Sequence, residues 1–286
     1  MMIGISLPPA YLAGEHNDLL SNALGPPTTC LADLRQAGVQ AIELQTIRPQ
    51  TDTLVALEAA RQVQLAGLRL TIHGQLPAGD SSGVDIYPTL LPICLRAVEM
   101  NERVIITVHS YQSKTEPTKV LVERTIRAIL DMLNRAEHDA LPIQLALELN
   151  RARHQNDPGT SYAQLLEMHS RIADPRVGFC WDLGHTLANA RQGLMTTDAP
   201  VEFLRHVLQT HIHSLGPNDE THWPLTTNVS PLSSCLDSLA STDYTGVLNL
   251  ELAAYRFAES IGVRKGIFDS IANLTSLLAA VKANRK

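Results

Sequence analysis

Six ionisable residues recur along the chain at a nearly constant interval. His73, His109, Glu148, Asp182, His213 and Glu251 are separated by 36, 39, 34, 31 and 38 residues. Each closes a short run rich in β-branched and apolar residues, namely RLTIH (69–73), VIITVH (104–109), IQLALE (143–148), VGFCWD (177–182), VLQTHIH (207–213) and GVLNLE (246–251). Such runs read as buried strands. Of the 11 histidines, six (His73, His109, His185, His211, His213 and His222) fall at or just after predicted strand ends. Neutral imidazoles and carboxylates are the donors that borderline divalent ions such as Zn, Mn, Co or Fe accept. Glu148, Asp182, His213 and Glu251 close four consecutive strands, and carboxylates converging there would repel or stay expensively desolvated without a cation. A common divalent ion is therefore expected on these four. His211 is the alternative to His213, because residues i and i+2 of a strand share a face; His213 is preferred as the nearer to the strand's carboxyl end. Asp182 has a second possible use, capping a helix that starts at Leu183-Gly184-His185.

The elements that must position these residues follow from the same interval. Two further runs, MIGISL (2–7) and AIELQ (41–45), bring the strands to eight, and 286 residues divided by eight is about 36, room for one strand, one helix and two loops. Apolar residues at helical spacing fill the intervals, for example Thr53 to Ala66, Pro88 to Met100, Thr118 to Ala136, Tyr162 to Ile172, Leu232 to Ala240 and Ile267 to Val281. The alternation predicts a single α/β domain over 1–286, a (β/α)8 TIM barrel whose strand ends share one rim. A doubly wound sheet would normally carry a glycine-rich turn after its first strand; here Pro8-Pro9-Ala10-Tyr11 follows.

Composition narrows the partners. The chain is 44% hydrophobic and 18% charged, with no apolar run near the roughly 18–20 residues of a membrane span and no signal-peptide pattern at the start. Four cysteines without a C-x-x-C pair read as reduced thiols of a cytoplasmic protein. A net charge of −6 and 4% aromatic residues disfavour a nucleic-acid partner. A homo-oligomer is left open.

Five segments in order, LALELN (145–150), VGFCWDLGH (177–185), THIHSLG (210–216), THWPL (221–225) and VLNLEL (247–252), resemble the xylose isomerase-like TIM barrels, a family that includes sugar isomerases, ketose 3-epimerases, inosose dehydratases and nucleases of the endonuclease IV type. The resemblance runs over the whole chain as strand order. It implies metal ligation by Glu148, Asp182, His213 and Glu251, with His185 beside them to orient a substrate hydroxyl. It also implies a metal-dependent isomerase or epimerase acting on a small sugar or polyol, in which Glu148 and Glu251 transfer protons next to a carbonyl. His73, His109, His185, His211 and His222 are then substrate contacts. The alternative within the family is a zinc phosphodiesterase acting on abasic DNA, which would recruit His73, His109, His185 and the pair Glu220 and His222 as further ligands. Against it, Gly-Gln-Leu-Pro-Ala-Gly-Asp follows His73, and Glu220 stands where such nucleases have Asp. Lys114, Arg151 and Arg153, outside these segments, are basic residues that could meet an anionic substrate; within them, Trp181 is expected to point away from the barrel centre, and Trp223 could wall a sugar.

Overall fold

The computed structural model describes residues 1–15, 17–76, 85–99, 102–225 and 230–283. Eight strands, β1 (Met2–Leu7), β2 (Val39–Ile47), β3 (Arg69–Gly74), β4 (Val104–Val108), β5 (Ile143–Glu148), β6 (Val177–Asp182), β7 (Val207–Ile212) and β8 (Val247–Leu250), pair in sequence order. Every pairing is parallel, and β1 with β8 closes the barrel. Each strand is followed by a long helix: α1 (Pro27–Gln36), α2 (Thr53–Leu65), α3 (Tyr87–Glu99), α4 (Thr118–His138), α5 (Tyr162–Ile172), α6 (Leu183–Arg191), α7 (Ser230–Ala240) and α8 (Val263–Ala283). Single-turn helices at Pro9–Leu12, Val201–Leu204 and Ala254–Phe257 and a two-turn helix at Asp18–Leu24 decorate the loops. Among the described residues no helix is long and apolar enough to cross a membrane, and all four cysteines are buried free thiols.

Strand alternation separates two interiors. Ile42, Leu44, Ile72, Ile106, Leu145, Leu147, Phe179 and Trp181 belong to the large apolar cluster shared with helix residues such as Ala59, Ala60, Leu165, Met168 and Leu274. Trp181 points outward as expected; its Nε1 donates to Thr186 Oγ1 at 3.0 Å, and its ring meets Tyr162 and Phe203. The alternate residues face the barrel axis. A small plug of Ile105, Ala146 and Cys180 lies among buried polar side chains, with Ser6, Glu43, Gln209 and Asn249 joined by hydrogen bonds. Close packing in that axis demands small residues: a Cβ on Gly4 would come 2.6 Å from Val247 Cγ1 and 3.0 Å from Asn249 Oδ1.

Side-chain caps open some of the helices, whereas Pro26 and Pro117 precede α1 and α4 without one. Asp52 accepts from the Leu54 and Val55 amides ahead of α2, and Ser161 from Gln164 ahead of α5. The spacing expected over Tyr162 to Ile172 is met residue for residue, whereas α3 is observed to Glu99, with Met100 outside the described residues. Two helices, α1 and α6, are additions to the periodicity reading. α6 begins on the residue after β6 with no intervening loop, and Gly184 in its first turn weakens the helical signal.

Candidate metal centre

β5, β6, β7 and β8 bring four donors together at the carboxyl end of the barrel. Single ligand atoms of Glu148, Asp182, His211 and Glu251 all lie within 4.8 Å of one another. His211 Nδ1 is 3.2 Å from Glu251 Oε2, 3.4 Å from Glu148 Oε2 and 4.0 Å from Asp182 Oδ2. Both oxygens of Glu148, Asp182 Oδ2, Glu251 Oε2 and His211 Nδ1 are buried without a hydrogen bond. Unsatisfied buried oxygens of this kind are costly, and three carboxylates with one imidazole form a hard, anionic donor set. These residues fit a divalent cation.

The imidazole of that set is His211, whereas the sequence favours His213. Strand geometry is the reason: β7 ends at Ile212, so His211 is the last residue of that strand pointing along the axis, paired with Asp182 of β6 and Asn249 of β8. His213 lies beyond the ladder and serves the loop. Its Nδ1 accepts the His222 amide at 2.9 Å, and its Nε2 lies 3.2 Å from Asp182 Oδ1. The same Oδ1 accepts the His185 amide at 2.6 Å. Asp182 therefore does cap α6, with one oxygen, while the other turns to the centre. Gly184 makes this possible, for an added Cβ would sit 1.8 Å from His213 Cε1.

An antiparallel bridge between Ser214 and Trp223 folds the β7 loop back and sets His222 beside His213, their ring centroids 4.3 Å apart. His222 adopts a left-handed backbone, φ 63°, held by the Ala253 amide on its carbonyl at 2.9 Å. His185, His213 and His222 form a second group of nitrogen donors. Glu220 is not part of it; that residue is exposed, and its carboxylate accepts from Trp223 Nε1 at 3.2 Å.

On the opposite wall, His73 spans the two glutamates, with Nε2 3.5 Å from Glu148 Oε2 and Nδ1 3.3 Å from Glu251 Oε1. His109 Nε2 is 2.8 Å from Glu148 Oε2. His185 Nδ1 lies 3.1 Å from both the Leu149 carbonyl and Asp182 Oδ2, and its Nε2 is left without a partner. Burial favours neutral forms here, but the opposed charges outweigh it. Against burial, His109 and His211 hold Glu148 well below the usual carboxylate range, and His211 with a hydrogen bond from His73 does the same for Glu251. Against burial, the hydrogen bond to Glu251 and the charges of Glu148, Glu251 and Glu43 raise His73 to about 9. Burial wins at His222, pushing it down to about 3. Without a cation the centre thus keeps ionised glutamates balanced by protonated imidazole.

A cavity of about 490 Å³ opens above these groups, lined among others by His73, His109, His185, His222 and Glu251. Arg48 from the β2 loop and Arg153 from the β5 loop stand on its wall, both exposed. Lys114 is exposed and, like Arg151, outside that lining, and Trp223 packs on its own loop against Gly216. Residues 77–80, part of the segment after His73, lie outside the described residues. Sequence reading passed over Glu43, a wholly buried carboxylate whose Oε2 is 3.0 Å from His211 Nε2. The available signal was a charged residue inside the apolar strand AIELQ, since carboxylates are seldom fully buried without partners.

The family model described as "Xylose isomerase-like TIM barrel" matches residues 31–276. No curated protein matches the chain in sequence. Among solved structures, an L-ribulose 3-epimerase superposes with a TM-score of 0.67 at 16% identity, covering 100% of this chain and 97% of that one. The IOLI protein with a binding zinc atom gives 0.62 at 13% identity, with 98% of each chain covered. An AP endonuclease, family 2, from Brucella melitensis gives 0.53 at 17% identity, covering 91% of this chain and 99% of that one. At these identities the likeness is one of fold.

Proposed function

The chain belongs to the xylose isomerase-like TIM-barrel family, and from that premise we propose that it is a divalent-metal-dependent isomerase or epimerase of small sugars or polyols. The observation that carries the reading is the foursome of Glu148, Asp182, His211 and Glu251, whose unsatisfied atoms converge below an open cavity. Zn, Mn or Co suits the donor set. When bound, such an ion would polarise a carbonyl and its neighbouring hydroxyl and acidify the C–H bond between them.

The protein's own residues supply the rest. Glu148 and Glu251 come from strands five and eight and are ionised, which is the form a general base requires. One removes the proton next to the carbonyl, and either the same carboxylate or the one opposite returns it. His73 touches both carboxylates and is placed to hold a proton between them. His109 and His185 line the cavity, where their nitrogens can orient substrate hydroxyls. Arg48 and Arg153 give its wall a positive charge, which favours a substrate with an anionic group remote from the reacting carbons.

Metal-loaded protein incubated in deuterated water with a panel of ketoses, aldoses and inososes tests this reading. Deuterium entering at a carbon next to the carbonyl, and lost in Glu251→Ala, is the expected result. A second reading has its own observation: His185, His213 and His222, and His73, His109 and Glu148, are two further groups able to hold a cation. A site with three ions would suit phosphodiester cleavage. Three zinc ions per chain together with cleavage of abasic-site DNA, and no exchange on any sugar, would replace the first reading by the second.

A further inference from the structure

Glu43 lies behind the rim, on the β2 stretch that faces the barrel axis, and no solvent reaches it. Its Oε1 accepts from Ser6 Oγ at 2.7 Å and Asn249 Nδ2 at 3.0 Å. Its Oε2 accepts from Gln209 Nε2 and faces His211 Nε2 at 3.0 Å. Strands β1, β7 and β8 thus each send donors to one carboxylate on β2. An amide nitrogen can only donate, and a carboxylate is the side chain able to accept on both oxygens at once. Glutamine would turn an NH2 group toward either Asn249 Nδ2 or Gln209 Nε2.

A buried, acceptor-only partner decides which ring nitrogen of His211 carries hydrogen. With the Nε2–H held by Glu43, Nδ1 is the ring nitrogen turned toward Glu148 and Glu251, where it has no hydrogen bond, and the one open to a cation. We propose that Glu43 is a positioning residue of the centre: by accepting the Nε2–H of His211 it fixes that ring's orientation and tautomer, and it thereby sets the affinity of the four-residue site for a divalent cation. This inference rests on the reading that Glu148, Asp182, His211 and Glu251 bind such an ion.

Glu43→Gln is compared with Ser6→Ala, which removes a donor from the same carboxylate without touching His211. Zinc affinity, measured by competition with a chromophoric chelator, should fall about 10- to 100-fold in Glu43→Gln, the range typical of hydrogen-bond partners of metal-bound histidines, and stay within about threefold in Ser6→Ala. Nitrogen-15 spectra of the zinc-loaded wild type should show His211 metal-bound through Nδ1, with a protonated, hydrogen-bonded Nε2. That measurement stands even if Glu43→Gln does not fold. Metal ligation through Nε2 in the wild type, or unchanged affinity in a folded Glu43→Gln, overturns the inference and leaves the functional reading in place. A wild type that binds no zinc, manganese or cobalt overturns both.

Discussion

Gly184→Ala separates packing at the centre from backbone preference, because the two push in opposite directions. Gly184 is in the first turn of α6 with no positive φ, so alanine should help the helix by about 0.5–1 kcal/mol. Against this, the new Cβ would fall 1.8 Å from His213 Cε1, 2.1 Å from Nδ1 and 2.4 Å from Nε2. The ring has little room to lean away, since the His222 amide holds its Nδ1 and Asp182 faces its Nε2. Overpacking of this kind costs about 1–3 kcal/mol, and the pinned ring argues for the upper end, leaving a net loss of about 2 kcal/mol. For a chain of this length that lowers the unfolding midpoint by roughly 4 °C. Calorimetry on the wild type, Gly184→Ala, His213→Ala and the double variant makes the cycle. With the ring removed, alanine at 184 should be stabilising by the helix preference alone, giving a coupling of about 3 kcal/mol. An unchanged or raised midpoint in Gly184→Ala, or additive effects in the double variant, would refute the placement of His213 on Asp182.

Glu148→Ala and Glu251→Ala should each abolish tight cation binding while keeping the circular-dichroism spectrum, as rim residues add little to the core; retained metal content by atomic emission contradicts this. The metal-free protein should be most stable at about pH 6.5, since His222, pushed down to about 3, contributes stability present above its ordinary 6.5 and lost as pH falls below it. The elevated His73 contributes stability that is complete below its ordinary 6.5 and is lost as pH rises through about 9. The depressed Glu148 and Glu251 contribute stability present above their ordinary 4.5 and lost as pH falls below it; thermal unfolding across pH 3–10, about the range these groups span, checks both limbs. Cation affinity should rise with pH, each ion displacing protons into solution, as calorimetric titration in buffers of different ionisation enthalpy will read. Arg153→Ala should raise KM for a phosphorylated or carboxylated substrate by about tenfold and leave a neutral one nearly unchanged, in line with one charge-assisted contact; equal effects on both would remove the argument for an anionic substrate.

The barrel was legible because strand composition, helix spacing and the interval between polar strand ends all point to the same closed eightfold repeat, and the boundaries of β1, β5 and β6 match residue for residue. Legibility failed where a residue's role depends on what other strands bring to it. His211 and His213 share a face by periodicity, and only the point at which the β7 ladder stops separates the one turned to the carboxylates from the one turned to the loop. Trp223 and Glu220 look like site residues in sequence, yet they bond to each other across the turn. No local pattern encodes that pairing.

Charge is the thread connecting the parts that sequence could not reach. Glu43, Glu148, Asp182 and Glu251 place four carboxylates in the barrel mouth, all buried, and at low dielectric such a group persists only if positive charge or hydrogen-bond donors meet every oxygen. Glu43 is met entirely by neighbouring side chains, so it does not need the cation. The other three keep unsatisfied oxygens, and the histidines around them can answer either by holding protons or by yielding them. A site of this design exchanges protons for a cation at little cost to the fold, since the same imidazoles serve both states. It also explains why Glu43 belongs in the core: a carboxylate satisfied without metal holds His211 in place before the ion arrives, so binding need not reorganise the ring.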